Sequence, residues 1–205
     1  MENKFSGKFI VLDGPDGCGK TTQAKLLAEW LKEQGVETAS FREPGGTAIG
    51  EKVRQILLNP EHIAMSTAAE VMLYMAARAQ LWREKIAPAL TKNKCVILDR
   101  WLSSTCAYQG YAGGFGMEKV IKIATDALER VWPDLTIILD VDLKTASQRL
   151  SRQLDRMEQK GDGYHKRVRE GFLELSKGRE SFAVVDAADK IETVHKSIIE
   201  IVEKI

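Results

Sequence analysis

The apolar run Phe9-Ile10-Val11-Leu12-Asp13 passes directly into Gly14-Pro15-Asp16-Gly17-Cys18-Gly19-Lys20-Thr21-Thr22, and then into a helical pattern. No other stretch constrains the fold as strongly. A strand that meets three glycines and restarts as a helix must turn sharply at the edge of a sheet. The letters match G-x-x-x-x-G-K-[ST], a loop whose glycines let backbone N–H groups close around phosphate oxygens. Lys20 then adds positive charge at the β/γ-phosphates, the Thr21 hydroxyl is set to ligate Mg²⁺, and the helix turns its positive end toward the same anion. Gly14 to Thr22 is thus the expected site for the phosphates of a nucleotide.

Downstream, strand and helix patterns alternate. Ala24, Leu27, Ala28 and Leu31 recur at helical spacing up to Gly35, and 36–41 reads as a second strand running into Arg42-Glu43-Pro44-Gly45-Gly46-Thr47. A short helix carrying Arg54 closes before Asn59-Pro60. A long helix is expected from 66 to about 85, limited by Pro88, with Met72, Met75, Ala76 and Ala79 as its buried stripe. The apolar run at 94–98 reads as a third strand that delivers Asp99-Arg100 to the sheet edge. A helix from 117 to about 131, strands at 135–141 and 182–185, and a closing helix with the stripe Ile191, Val194, Ile198, Ile201, Val202 and Ile205 complete the pattern. The expected architecture is a three-layer α/β fold: a five-stranded parallel sheet, helices on both faces, and ligands at the carboxyl ends of the strands.

Composition narrows the class. The 205 residues read most simply as one domain, 1–205, and 29% charged residues with a net charge of +1 give no reason to expect a nucleic-acid or membrane surface. Cys18, Cys95 and Cys106 are odd in number and in no C-x-x-C arrangement, which fits a reducing cytoplasm rather than a disulfide framework or a zinc site. Neither a signal peptide nor a membrane-spanning run is evident.

Several side chains carry a functional and a bland reading together. Asp99, ending an apolar strand, reads as a Mg²⁺ holder or as a helix cap. Tyr74 and Arg78 are four apart and share a helix face; spacing alone favours a core-edge tyrosine and a solvated arginine. From Lys144 to Arg179 there are ten Lys or Arg against five Asp or Glu. Within it Arg149, Arg152 and Arg156, at i, i+3 and i+7, fall on one side of a helix, either as a solvated basic face or as an arginine lid at about 144–165. Phosphoryl transfer needs such cations, and Lys20, Arg100 and the lid arginines supply them. No obvious general base is present, which leans toward an acceptor that is itself a phosphate; no N-K-x-D segment points to a guanine switch.

These residues resemble the bacterial thymidylate kinases from end to end. The similarity rests on the loop through Gln23, on Arg42-Glu43-Pro44-Gly45-Gly46-Thr47, Ala77-Arg78-Ala79-Gln80, Asp99-Arg100 with Ala107-Tyr108-Gln109-Gly110, Pro133-Asp134-Leu135-Thr136, Leu154-Asp155-Arg156-Met157-Glu158, and Arg167-Val168-Arg169 with Phe172-Leu173. What the resemblance implies is transfer of the ATP γ-phosphate to dTMP, with Mg²⁺, in a homodimer. It places Tyr74 on the thymine ring and Arg78 at its O4, Arg54 and Arg100 on the dTMP phosphate, and Thr105 and Gln109 around the base. Tyr108 would crowd the sugar 2′ position, Asp16 would approach the 3′-hydroxyl and the magnesium shell with Glu43 nearby, and Arg149, Arg152 and Arg156 would be the catalytic lid. The chain departs from the family's usual Phe and Tyr with Tyr74 and Trp101. A kinase for another nucleoside monophosphate or a deoxynucleoside, and a nucleotide binder without catalysis, are the competing classes.

Overall fold

The computed structural model describes residues 3–149 and 155–205. Five parallel strands, β1 (Phe9–Asp13), β2 (Thr38–Arg42), β3 (Cys95–Asp99), β4 (Leu135–Asp140) and β5 (Phe182–Asp186), lie in the order β2-β3-β1-β4-β5. The five expected strands are present, with ends moved by one or two residues. The second opens late because the Val36 N–H donates to Leu31 O at 3.0 Å and closes the preceding helix, so pairing begins at Thr38.

The helices are α1 (Lys20–Glu33), α2 (Ala48–Leu58), α3 (Thr67–Leu81), α4 (Ala87–Thr91), α5 (Leu102–Thr105), α6 (Met117–Ala127), α7 (Leu143–Gln148), α8 (Asp162–Ser176) and α9 (Ile191–Val202). Two wide π-helical turns, Trp82–Ile86 and Cys106–Ala112, extend α3 and α5. Side-chain caps set several starts: Thr47 accepts from Gly50 N, Ser66 from Ala69 N and Asp142 from Thr145 N.

The strand period of two sorts the core into layers. Ile10 and Leu12 of β1, with Ile97 and Ile137, pack against Leu27 and Leu31 of α1 and Ile198 and Val202 of α9. Phe9 and Val11 point the other way, with Val96 and Leu98, onto Val71 and Met75 of α3 and Val120 and Ala124 of α6. Leu31 is fully buried, so Leu31→Ala removes a contribution of about 2–5 kcal/mol. A third cluster joins Ile138 to Ala107, Tyr108, Met157, Val168 and Phe172, and seats α8 over the Cys106–Ala112 turn. Because β1 is central, the loop after it opens beside the ends of β3 and β4, where the strand order reverses.

Three expectations about helices are corrected. Pro88 does not end the long helix: the wide turn lets the Ala87 N–H reach Trp82 O, five residues back, and Pro88 opens α4. Its ring therefore meets no carbonyl of an α-helical turn. The buried stripe of α3 is Glu70, Val71, Met75, Ala77, Arg78 and Leu81, whereas Met72 and Ala76 face outward. The helix expected to reach about 131 stops at Ala127; beyond it Arg130 pairs with Asp134 at 2.8 Å and donates to Trp132 O at 3.1 Å, folding a turn that leads to β4.

Candidate active site

The loop between β1 and α1 is shaped by its glycines. Gly14 (φ +140°) and Gly17 (φ +80°) lie in backbone regions that L side chains rarely adopt, and a Cβ would stand 2.4 Å from Leu139 O and 2.3 Å from Ala146 O respectively. Gly19 caps α1 without any side-chain bond, so the first N–H groups of that helix are left to an anion. Lys20 Nζ donates to Pro15 O at 2.6 Å and Gly14 O at 3.0 Å and lies 3.4 Å from Cys18 Sγ. The Thr21 hydroxyl donates to Asp99 Oδ2 at 2.5 Å, which leaves oxygen lone pairs of both residues for a hard cation.

Asp13, whose part the sequence did not reveal, is fully buried at the end of β1 and accepts from Ser103 Oγ at 2.5 Å and Ser104 Oγ at 2.7 Å. It thereby fixes the start of α5 against the loop. Its only sequence signal is an acid closing a buried strand. Arg100 sits at φ +72°, unusual for a non-glycine residue, and is held there by Ser104 Oγ at 2.9 Å, Gly14 O at 3.1 Å and a close ion pair with Asp16. The other Asp16 oxygen accepts from the Tyr108 hydroxyl at 2.6 Å. Burial pushes the Asp16 carboxyl up, but Arg100, Lys20 and the Tyr108 hydroxyl outweigh it and hold it at about 2.

Opposite the loop, Arg78 is buried rather than solvated. Its Nε and Nη2 donate to Glu43 Oε2 at 2.9 and 2.7 Å, and Nη2 also reaches Thr105 Oγ1 at 3.0 Å. Glu43 Oε1 is buried with no hydrogen-bond partner among the described residues, and burial pushes this carboxyl up to about 7 even against Arg78. Trp101 lies in the core under the guanidinium, 5.2 Å away, with its ring N–H donating to Val131 O at 2.7 Å. Arg54 Nη1 donates to Pro44 O at 2.9 Å. Tyr74 makes no hydrogen bond among the described residues.

A cavity of about 800 Å³ joins these groups. It is lined by Asp16 to Thr22 of the loop and by Glu43, Arg54, Tyr74, Arg78, Asp99, Arg100, Thr105, Tyr108 and Gln109. Its far wall is Ala187, Asp189, Lys190 and Ile191, beyond the carboxyl end of β5; of these the sequence pattern singles out only Ile191, as part of a helix stripe, although the strand-edge rule that points to Asp99 points here too.

The arginine triplet is corrected. Arg149 and Arg156 do not share a helix face: α7 ends at Gln148, and Arg156 lies in a turn. Arg149 lines the cavity and donates to Ala187 O at 2.8 Å and Ala188 O at 3.1 Å. Arg156 is buried, donating to Leu57 O at 2.7 Å and Glu70 Oε1 at 2.6 Å. Arg152 lies outside the described residues.

Among the described residues no group of three or more His, Cys, Asp or Glu gathers as a metal cage, and no helix is long and apolar enough to cross a membrane. The sparse oxygen set at Thr21 and Asp99 fits Mg²⁺, which takes one or two protein oxygens and completes its shell with water and phosphate.

Comparison with known proteins agrees with this fold. The thymidylate kinase family model matches residues 12–198. The chain is 46% identical over 200 residues to a thymidylate kinase from Caldanaerobacter subterraneus, covering 97% of this chain and 96% of the relative. It is 41% identical over 205 residues to one from Pelotomaculum thermopropionicum, covering 98% and 95%. The crystal structure of thymidylate kinase from Ehrlichia chaffeensis superposes with a TM-score of 0.78 at 32% identity, covering 97% and 99%. The chain belongs to the thymidylate kinase family.

Proposed function

We infer that this chain transfers the γ-phosphate of ATP to dTMP, giving dTDP. The observation that carries the reading is one continuous cavity with a phosphate loop at one end, an aromatic ring and a buried arginine (Tyr74, Arg78) at the other, and Arg100 tied to Gly14 O and Asp16 beside the loop. Backbone N–H groups around the start of α1, from Gly17 to Thr22, and the Lys20 ammonium hold the ATP phosphates, and the β5 end with Arg149 accommodates its base. Tyr74 stacks on thymine, Arg78 meets its O4 with Thr105 and Gln109 beside it, and Arg54 and Arg100 hold the acceptor phosphate. Tyr108 crowds the sugar 2′ position, and Asp16, fixed by Arg100 and Tyr108, orients the sugar.

The Asp16 carboxyl at about 2 favours a phosphate acceptor over a hydroxyl one, because so weak a base takes no proton at neutral pH. A phosphate monoester needs no base, its second pKa being about 6. Mg²⁺, held by Thr21, Asp99 and, through water, Asp16, would neutralise charge between the β- and γ-phosphates. The cations that the loop lacks come from the lid at about 144–165, where Arg149 lines the cavity and Arg152 lies close in sequence, whereas Arg156 is buried on Glu70. We further read 1–205 as one kinase domain in the cytoplasm, where Cys18, Cys95 and Cys106 stay free, and as a homodimer, supported by exposed Ile49, Ile56 and Met72 on the packed pair α2 and α3.

A coupled ADP-release assay with dTMP, dUMP, the TMP ribonucleotide, dCMP, dGMP and thymidine tests the reading. The highest kcat/KM should belong to dTMP. No preference for dTMP overturns the assignment, and faster turnover of thymidine points to a nucleoside kinase.

A further inference from the structure

We propose that Glu70 is a positioning residue that couples the base end of the cavity to the 155–160 segment. The inference rests on the dTMP kinase reading. Glu70 stands at the start of α3 and is only 1% exposed, so its two oxygens must find partners within the protein. One oxygen, Oε2, accepts from Gln109 Nε2 at 2.9 Å, and Gln109 lines the cavity from the wide turn after α5. The other, Oε1, accepts from Arg156 Nη1 at 2.6 Å and from Lys160 Nζ at 3.1 Å. Burial pushes this carboxyl up, but the bonds from Arg156, Gln109 and Lys160 prevail and hold it below the usual range.

The geometry makes the link specific. No hydrogen bond joins Gln109 to Arg156 among the described residues; both meet only through the Glu70 carboxylate. That group is planar, so when a bound base draws Gln109 the plane tilts and Oε1 carries Arg156 with it. Arg156 passes the motion on: its Nε donates to Leu57 O at 2.7 Å and its backbone N to Leu58 O at 3.2 Å, while its neighbours Asp155, Met157 and Glu158 line the cavity. Arg156 Nη2 is buried with no hydrogen-bond partner among the described residues, which hold the guanidinium through Nε and Nη1. Lys160 is braced by the Tyr164 ring, 4.8 Å from its ammonium, and the Tyr164 hydroxyl donates to Tyr108 O at 2.8 Å. The segment that Glu70 holds is therefore also seated on the turn that carries Tyr108 and Gln109.

A double-mutant cycle tests the coupling. Gln109→Ala, Arg156→Lys and the pair are compared by kcat/KM for dTMP, first with Glu70 intact and then in Glu70→Gln, with thermal unfolding of every variant. The expected result is non-additivity of about 5-fold or more with Glu70 present, the low end of measured coupling between sites, falling to within about 2-fold in Glu70→Gln. Where Glu70→Gln does not fold, Glu70→Asp, one methylene too short to serve both sides, replaces it with the same expectation. A merely structural Glu70 would lower the melting temperature yet leave the cycle additive. Additive effects in the Glu70 enzyme, with dTMP turnover intact, overturn the coupling and spare the function. Absence of dTMP turnover in the unaltered chain overturns both.

Discussion

The two ends of the cavity are built by different means. On the proposed reading, the phosphate-holding part of the donor end is one contiguous stretch, Gly14 to Thr22, whose recognition elements are backbone N–H groups and a single lysine. On the same reading, the acceptor end gathers Glu43 from the β2–α2 connection, Tyr74 and Arg78 from α3, Arg100 from the end of β3, and Thr105, Tyr108 and Gln109 from α5 and the turn after it. Charges taken out of water hold it together: Glu43 with Arg78 at 2.7 Å, and Glu70 with Arg156 at 2.6 Å. A backbone cradle needs only local geometry, whereas a dispersed polar pocket is stable only while every charge keeps its partner. Loss of function and loss of stability should therefore separate at the donor end and travel together at the acceptor end.

Lys20→Ala sharpens the contrast most. Among the described residues its ammonium bonds only carbonyl oxygens and the Cys18 sulfur, so kcat in the ADP-release assay should fall by about 10³-fold while the unfolding midpoint barely moves. Large unfolding would erase the distinction. Arg78→Met is the counterpart. It strips Glu43 of its partner and should cost about 3–5 kcal/mol in urea unfolding as well as raising KM for dTMP. A rise in KM with unchanged stability would show that the pair does not hold the pocket.

The geometry of the glycine loop is legible in the sequence and that of the Arg78 pocket only in part, for a physical reason. Gly14 to Thr22 carries its own geometry, because positive φ and close approach are properties of the glycines themselves. Arg78 on spacing alone reads as solvated, since the carboxylate that buries it lies 35 residues away in sequence. The arginine triplet fails likewise: i, i+3, i+7 spacing describes a face only if the helix continues, and α7 stops at Gln148. Met72 and Ala76 fit a helical stripe as well as Val71 and Ala77 do, and only the sheet beneath α3 selects between them. The alternation of strands and helices carried the sheet correctly because each strand's own apolar run defines it.

Glu43 offers a pH test of the same comparison. Burial raises its carboxyl from 4.5 to about 7, so between those values the folded chain keeps a proton that the unfolded chain releases. Its contribution to stability falls as pH rises through that window. Glu43→Gln should then gain on the unaltered chain in urea unfolding from pH about 5 to about 8. A parallel pair of profiles would place Glu43 with the ordinary carboxylates.

Two tyrosines give smaller effects. Tyr108→Phe deletes the hydroxyl that donates to Asp16 at 2.6 Å, and should cost about 1 kcal/mol and raise the pH at which the Asp16 contribution is lost from its present value of about 2. Acid unfolding at unchanged pH would contradict this. Tyr74→Phe removes a hydroxyl that has no partner among the described residues, so stability and kcat/KM for dTMP should stay within about 0.5 kcal/mol of the unaltered chain.

The most direct measurement is a crystal structure of the chain with dTMP and a non-hydrolysable ATP analogue. Thymine should stack on Tyr74 with its O4 in hydrogen-bond reach of Arg78, the acceptor phosphate should lie on Arg54 and Arg100, and the analogue's phosphates should fill the Gly14 to Thr22 loop. A base bound away from Tyr74 and Arg78, or an acceptor phosphate far from Arg100, would contradict the dTMP kinase reading.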